Sequence, residues 1–549
     1  MVCELFIKDE RGRANMRGKL NKNGCVPEQF IVAVAVICIA AHFLLYAYLN
    51  FAGLPRYCNS DVFADMQLAK RIWEQKSLFP TGWGFGNQYY VVGTPVLAAL
   101  FYGMLGNINA AMAIATEVMS VLIMLSFLWL LRGCGEPLIS RLFGCALLLF
   151  SVILPYGSYS MNSMLFFTQS SFYSCYLITM FVVFGDYIRV RNDSAIRVPA
   201  WVLSVLLCFA TGMHSLRQTA VMVLPLFAYE LFCGLRHVCV GSPFWTKADR
   251  PRLMRVLSYG LANGAGILLM KWLDVPISPI YSSNQGTSVA ERLQGKLTAT
   301  GTALAEITSV DYLLAGDCSK LLLVVIVFIL AVAVGGTFLW FSRIRRPESG
   351  TEACWALCAI GLCAILLATV VTDVTLRGIY LFMWFPLVAF SGLMLVKRLP
   401  EWGRKLATVL VCVLSLMSLL YCFAPNLRET ATGEKTDAQR MSDWAVENGY
   451  QYVYGEYWGT APQVAAWADG KLDAGCWHGE HNVYLVEMAN TPKDIYGEDE
   501  NQKAVYVFTA VDEAQGLERA EARGVTLTKV AEFGAFCAYT SPVQLMQEQ

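Results

Sequence analysis

Along the 549 residues, apolar runs of membrane-spanning length alternate with short polar loops. Crossing a bilayer as a helix takes about 20 mostly apolar residues, because every backbone polar group must be satisfied within the segment. Runs of this kind lie near 30–50, 108–131, 141–159, 163–185, 199–214, 218–235, 254–271, 320–342, 353–372, 378–396 and 405–424. They predict a polytopic α-helical membrane protein with about 11 transmembrane helices. The first run follows a basic N-terminus, 1–29, holding Arg11, Arg13, Arg17 and Lys19, and no small-residue cleavage pattern follows it. It reads as a retained anchor with a cytoplasmic N-terminus. Arg132, Arg191, Arg236, Arg252, Arg343, Lys397 and Arg404 then all fall in cytoplasmic loops, as the positive-inside rule requires.

That parity depends on one apolar piece, 91–106, with Gly93, Pro95, Gly103 and Gly106. Counted as a span, it would turn every later basic loop outward, so it is expected to lie in the outer interface. Within a transmembrane domain of 30–424, two long stretches are then external, 51–107 and 272–319, and the tail 425–549 follows outside. Long ordered loops usually carry function. In the tail, helical runs (438–448, 461–468, 513–522) alternate with strand-like ones (450–454, 504–508, 525–531 with 536–539). This order predicts a small extracytoplasmic α/β domain.

Composition strengthens the membrane reading. The chain is 56% hydrophobic and 15% charged, against about 25% charged in soluble domains. Its net charge of zero conceals segregation: from Pro425 onward there are 20 acidic and 9 basic residues, so the remainder is basic. The Arg and Lys lie scattered in short loops and form no stripe, which argues against nucleic-acid binding. Most of the 18 cysteines sit in apolar runs as small hydrophobes. Cys476 and Cys537 in the tail are placed where a disulfide is chemically possible.

Candidate chemistry clusters on the external side. Ser60 precedes an amphipathic run and reads as its N-cap, with Asp61 in the first turn and Asp65 on the same face. Two carboxylates here serve either to cap and solubilise the helix or, just outside the first span, to take a proton from a hydroxyl. Gly212 to Gln218 forms an external turn carrying His214 and Arg217. Arg217 is either a membrane-edge anchor or a guanidinium for phosphate. Thr372 to Tyr380 is a similar turn with Arg377 and Tyr380, and Lys271 ends a span on the same side. Tyr454, Tyr457 and Trp458 either stack on sugars or fill the tail core, and Cys476 to His481 reads as a surface loop rather than a metal site. No Walker loop, dinucleotide fingerprint or zincin motif occurs.

The arrangement resembles the GT-C superfamily of membrane glycosyltransferases, of the protein mannosyltransferase and aminoarabinose transferase type. These have one span, then a long external loop with an acid, an aliphatic–small pair about eight residues on, a Pro- and aromatic-rich stretch, and a Pro-led interfacial helix. Here these correspond to Asp61, Leu68-Ala69, Phe79 to Asn87, and Thr94-Pro95 through Gly106. The resemblance implies a GT-C-like fold and an inverting transferase that moves a sugar from a polyprenyl-phosphate carrier to an acceptor hydroxyl on a glycan, protein or lipid at the outer face. It implies Asp61 as general base with Asp65 assisting, Arg217, His214, Arg377, Lys271 and Tyr380 around the phosphate, and no metal or other cofactor. The sequence departs from the pattern in two places. Val62 stands where many members have a second adjacent acid, and the loop at 158–162 has no carboxylate. Two rivals remain: a lipid-linked glycan flippase or transporter, which would place charge deep in the spans where only Glu117 is visible, and an inactive binding relative.

Overall fold

A computed structural model of the chain describes residues 27–86, 88–154, 162–169, 172–193, 198–239, 241–275, 289–316, 318–343, 348–371, 376–477, 491–492 and 503–543. The bundle begins with α1 (Glu28–Gly53), followed by the loop helices α2 (Ser60–Gln75) and α3 (Thr94–Leu105). Then come α4 (Ile108–Gly133), α5 (Leu138–Val152), α6 (Ser174–Asp193), α7 (Val198–His214), α8 (Leu216–Cys239) and α9 (Arg250–Leu273). After α10 (Val289–Thr308), the bundle closes with α11 (Lys320–Ser342), α12 (Gly350–Val371), α13 (Trp384–Val396) and α14 (Glu401–Thr432). Among the described residues, eight helices are long and apolar enough to cross a membrane by length and composition. The protein is a multi-pass membrane protein. The other three expected spans are the shorter α5 and α7 and the more charged α6, which carries Asp186, Arg189 and Arg191.

Two boundaries differ from the sequence reading. The fourth helix starts at Ser174 rather than near 163. Residues 162–165 form a 3-10 turn and turns follow to Gln169, where the polar Thr168 and Gln169 interrupt the apolar run. At its other extreme, α14 carries on past 424, through Pro425, to Thr432. The piece at 91–106 is indeed a short helix, α3, led by Pro95 and ended by Gly106 in the left-handed region. Its Leu100, Met104 and Leu105 are exposed while Ala98 and Ala99 pack inward.

Helices α7 and α9 cross at backbone contact. A Cβ on Gly212 would lie 2.1 Å from the Asn263 carbonyl oxygen, and one on Gly266 would lie 2.2 Å from that of Phe209. Small residues permit such an approach where lipid offers no hydrophobic drive between helices. Asn263 ties the seam further: its amide donates to the Cys208 carbonyl at 3.0 Å, and its Oδ1 accepts from Thr219 at 2.8 Å. Thr219 opens a π-helical turn through Val223 inside α8. That irregularity lies just ahead of Pro225, whose missing N–H and ring disturb the ladder of a regular helix.

The tail folds on α15 (Asp437–Glu447), β2 (Tyr452–Glu456), α16 (Ala461–Trp467), β3 (Asp473–Trp477), β5 (Ala504–Thr509), α17 (Glu513–Ala522), β6 (Thr528–Phe533) and β7 (Phe536–Thr540); β1 (Trp83–Gly84) and β4 (Thr491–Pro492) form a separate pair. The sheet order is β3-β2-β5-β7-β6, parallel across β3-β2-β5 and antiparallel across β5-β7-β6. Alternation along the strands divides the sheet into two faces. Val453, Ala474, Cys476, Val505 and Val507 join α15, α16 and the first loop in one core, whereas Tyr454, Trp477, Tyr506, Phe508 and Tyr539 form another. Cys476 belongs to the first face and Cys537 to the second, on strands three positions apart. Both are free thiols. Three strand spacings amount to roughly 14 Å, far beyond disulfide reach.

The tail also reaches the loop after α1. Strand β4 pairs antiparallel with β1. Lys70 Nζ donates to the Gly470 carbonyl at 3.0 Å, and the backbone N–H of Asn109 donates to Asp469 at 3.0 Å. Val62, Phe63, Met66 and Ala69 of α2 lie in the same core as Val464 and Ala465 of α16.

Candidate active site

The run Asn59-Ser60-Asp61 offers three successive side chains able to cap a helix. Asn59, rather than Ser60, takes that part: its Oδ1 accepts from the Val62 N–H at 3.0 Å. Ser60 is instead the first helical residue, and its hydroxyl donates to the carbonyl of Tyr457 in the tail. Asp61 in the first turn is half-buried, and Asp65 one turn on is only 2% exposed. Burial pushes the Asp61 carboxyl above its ordinary range, and the Arg377 guanidinium nearby pulls it down. Tyr90 lies close enough to both carboxylates to feel their charge, and burial with these neighbours drives its phenol upward.

From Tyr90 a chain of polar contacts leads to the second cluster. Gln88 lies near Tyr90, and Tyr176 on α6 donates to Gln88 Oε1 at 2.7 Å. The Arg217 guanidinium lies near Tyr176 and over the Tyr380 ring, 3.8 Å from its centroid. A ring face attracts a cation placed over it and helps to hold it in position. The ring of His214 is buried edge-on between Tyr90 and Tyr176, with centroids 6.0 and 5.8 Å away. Its carbonyl accepts the Tyr89 N–H at 3.0 Å, and Tyr89 donates through its hydroxyl to Val275 at 2.7 Å. The aromatic stretch is thus strapped across the ends of α7 and α9, with Phe79, Phe85 and Tyr89 rings in mutual contact.

Beneath that strap is a cavity of about 570 Å³. Gln88, His214, Arg217, Lys271, Asp274 and Tyr380 line its polar part, and Ala220, Ile267, Met270, Ile365 and Ala368 its apolar part. The structure therefore brings His214, Arg217, Lys271 and Tyr380 into one space. Asp61, Asp65 and Arg377 do not line it; the two carboxylates stand near Tyr90, and Arg377 near Asp61.

Arg377 is positioned by its neighbour. The Gly378 N–H donates to Glu306 Oε2 of α10 at 3.1 Å, and a Cβ on Gly378 would lie 2.8 Å from the Glu306 Cβ. Only glycine lets α10 settle on this turn. Residues 372–375 of the same patch lie outside the described residues, as do 158–161 and His478, Glu480 and His481. Tyr454 and Tyr457 are core aromatics, whereas Trp458 is exposed.

Gln88, Tyr90, Tyr176, Asp274 and Glu306 are participants that the sequence reading missed. For Gln88 and Tyr90 a signal existed, since they directly continue the aromatic stretch. For Tyr176, inside an apolar helix, there was none.

The fold has solved counterparts. ArnT from Cupriavidus metallidurans bound to undecaprenyl phosphate superposes with a TM-score of 0.57 at 12% sequence identity, covering 94% of this chain and 99% of that one. The chain has the ArnT fold. ArnT in the apo state gives a TM-score of 0.55 with the same identity and coverage. The expected helical bundle with a small C-terminal α/β part is therefore the fold of these structures. No family model and no curated protein matches the sequence.

Proposed function

We propose that the protein is a glycosyltransferase that moves a sugar from a polyprenyl-phosphate carrier to an acceptor hydroxyl at the outer face of the membrane. The observation that carries this reading is the cavity in which Arg217, Lys271 and His214 meet an apolar wall between helices. A lipid phosphate needs both chemistries at once. The ArnT fold, seen with undecaprenyl phosphate bound in that protein, agrees with a donor of this class.

In the proposed reaction the prenyl chain runs along the apolar wall and the phosphate sits under Arg217, with Lys271 and Arg377 close by. Asp61 takes the proton of the acceptor hydroxyl. The acceptor oxygen attacks the anomeric carbon from the face opposite the phosphate, the bond to the phosphate oxygen breaks, and configuration inverts. The phosphate leaves with its electron pair, and the cations stabilise that charge. Asp65, buried one turn further along α2, assists by charge or orientation. A phosphate surrounded by cations leaves without a Lewis acid, so no metal is required.

The test is Asp61→Asn, assayed for transfer of radiolabelled sugar from an undecaprenyl-phosphate donor in membranes with equal protein levels. Transfer is expected to fall roughly a hundredfold or more. Full transfer by the variant would remove Asp61 from the chemistry.

A further inference from the structure

We propose that Trp458 is the stacking platform for a pyranose ring of the acceptor, held beside Asp61 by the seam between the tail and α2. This rests on the transferase reading above and supplies its acceptor class, a glycan. Trp458 is 47% exposed, and among the described residues it is the one exposed aromatic side chain of the tail. The other large apolar side chains exposed there are Val511, Val530 and Val543.

Its position is fixed by its neighbours. The Tyr457 N–H donates to the Trp477 carbonyl at 2.8 Å, and the Tyr457 carbonyl accepts the Ser60 hydroxyl. Beyond Trp458, the Gly459 N–H donates to Glu456 Oε2 at 2.7 Å and the Thr460 N–H to the Glu456 carbonyl at 3.1 Å. The indole itself meets the Tyr457 ring edge to face, with centroids 4.9 Å apart. This turn is therefore rigid on both sides of a large aromatic residue, and it touches the residue immediately before Asp61.

The chemistry of the site selects the occupant. The Ser60–Tyr457 bond sets the backbone of Trp458 next to that of Asp61, so an acceptor held on the indole would meet Asp61 from the tail side. A ring face carries negative charge density and attracts the weakly positive C–H bonds of a sugar face. Glu456, half-buried two residues away, suits a hydroxyl at the sugar's rim. Rigidity matters as well, because a pre-set platform spends no ordering entropy on binding.

The experiment uses the full chain in lipid nanodiscs and saturation-transfer NMR with a fixed probe set: maltose, cellobiose, mannobiose, galactobiose and diacetylchitobiose. At least one disaccharide is expected to receive saturation on its ring C–H protons. That signal should drop roughly five- to tenfold in Trp458→Ala, the size expected for one aromatic contact, and return in Trp458→Tyr. Asp61→Asn should keep the signal while losing transfer, which separates this inference from the base assignment. Equal signals in wild type and Trp458→Ala, or no signal from any of the five sugars in wild type, would overturn the platform. Restoration by tyrosine also rules out a merely misfolded alanine variant.

Discussion

At the residue scale, Asp61 and Arg377 set each other's behaviour. Burial raises the Asp61 carboxyl and Arg377 opposes that rise. A general base works only when ionised. Replacing Arg377 with Gln removes the opposing charge, so Asp61 holds its proton to higher pH. The acid limb of the pH–rate profile is then expected to move upward, and activity disappears first at the acid end. The plateau should fall as well, since one contact to the departing phosphate is worth ~2–4 kcal/mol, on the order of a hundredfold or more. Profiles of kcat/KM in proteoliposomes check both effects; a lowered plateau with an unmoved limb would confine Arg377 to the phosphate. Helix-start signals made the position of Asp61 readable from sequence. They named Ser60 as the cap, but Asn59 takes that part, because Ser60 is claimed by Tyr457, 397 residues away. The Tyr176–Gln88 bond, across 88 residues, has no local signal either.

At the scale of elements, apolar runs were the strongest signal, and every expected span corresponds to a helix. What periodicity missed were short or polar-bounded pieces: β3, whose five residues DAGCW lack the β-branched residues of a typical strand, and the two-residue pair of β1 and β4. It also treated the basic loop residues only as topology markers. At the bundle end away from the cavity they are ion-pair partners: Arg252 with Glu230, Arg255 with Asp186 at 3.3 Å, and Arg191 and Arg236 with Glu348 at 3.6 and 3.3 Å. These pairs join α9 to α6 and α8, and α6 and α8 to Glu348, two residues before α12. Glu348 also accepts from the Tyr229 hydroxyl, and its side chain is 3% exposed. Removing one partner of a buried pair strands the other, at about 3–5 kcal/mol. Glu348→Gln is therefore expected to lower the unfolding temperature of detergent-solubilised protein by several degrees. An unchanged melt would mean that water already compensates Arg191 and Arg236. The expected direction is loss, because the two arginines keep their charge when the glutamate loses its own.

For the whole molecule, the tail and the loop after α1 are two distant parts of the chain with one core. Val62, Phe63, Met66 and Ala69 on α2 are buried with Val464, Ala465 and Val505 of the tail. Trp83 pairs through its backbone with Pro492, and Lys70 reaches Gly470 and Asp473. Burying a Val, Phe or Met side chain is worth about 1.5–3 kcal/mol, so the tail's cover adds to the packing on α3 that keeps α2 in place. Truncation after Thr432 leaves the bundle's own core, which draws on α1 and α4 through α14, without that cover. The shortened chain is accordingly expected to enter membranes at normal levels while residues 51–107 become open to protease at sites protected in the full chain. Transfer should be lost in parallel, because the turn that carries Asp61 has no second support once Tyr457 is gone. Limited proteolysis with mass spectrometry of the fragments reads the first effect, and the radiolabel assay the second. Protection of 51–107 in the truncated chain, with transfer intact, would reduce the tail to a passenger and leave α2 anchored by α3 alone.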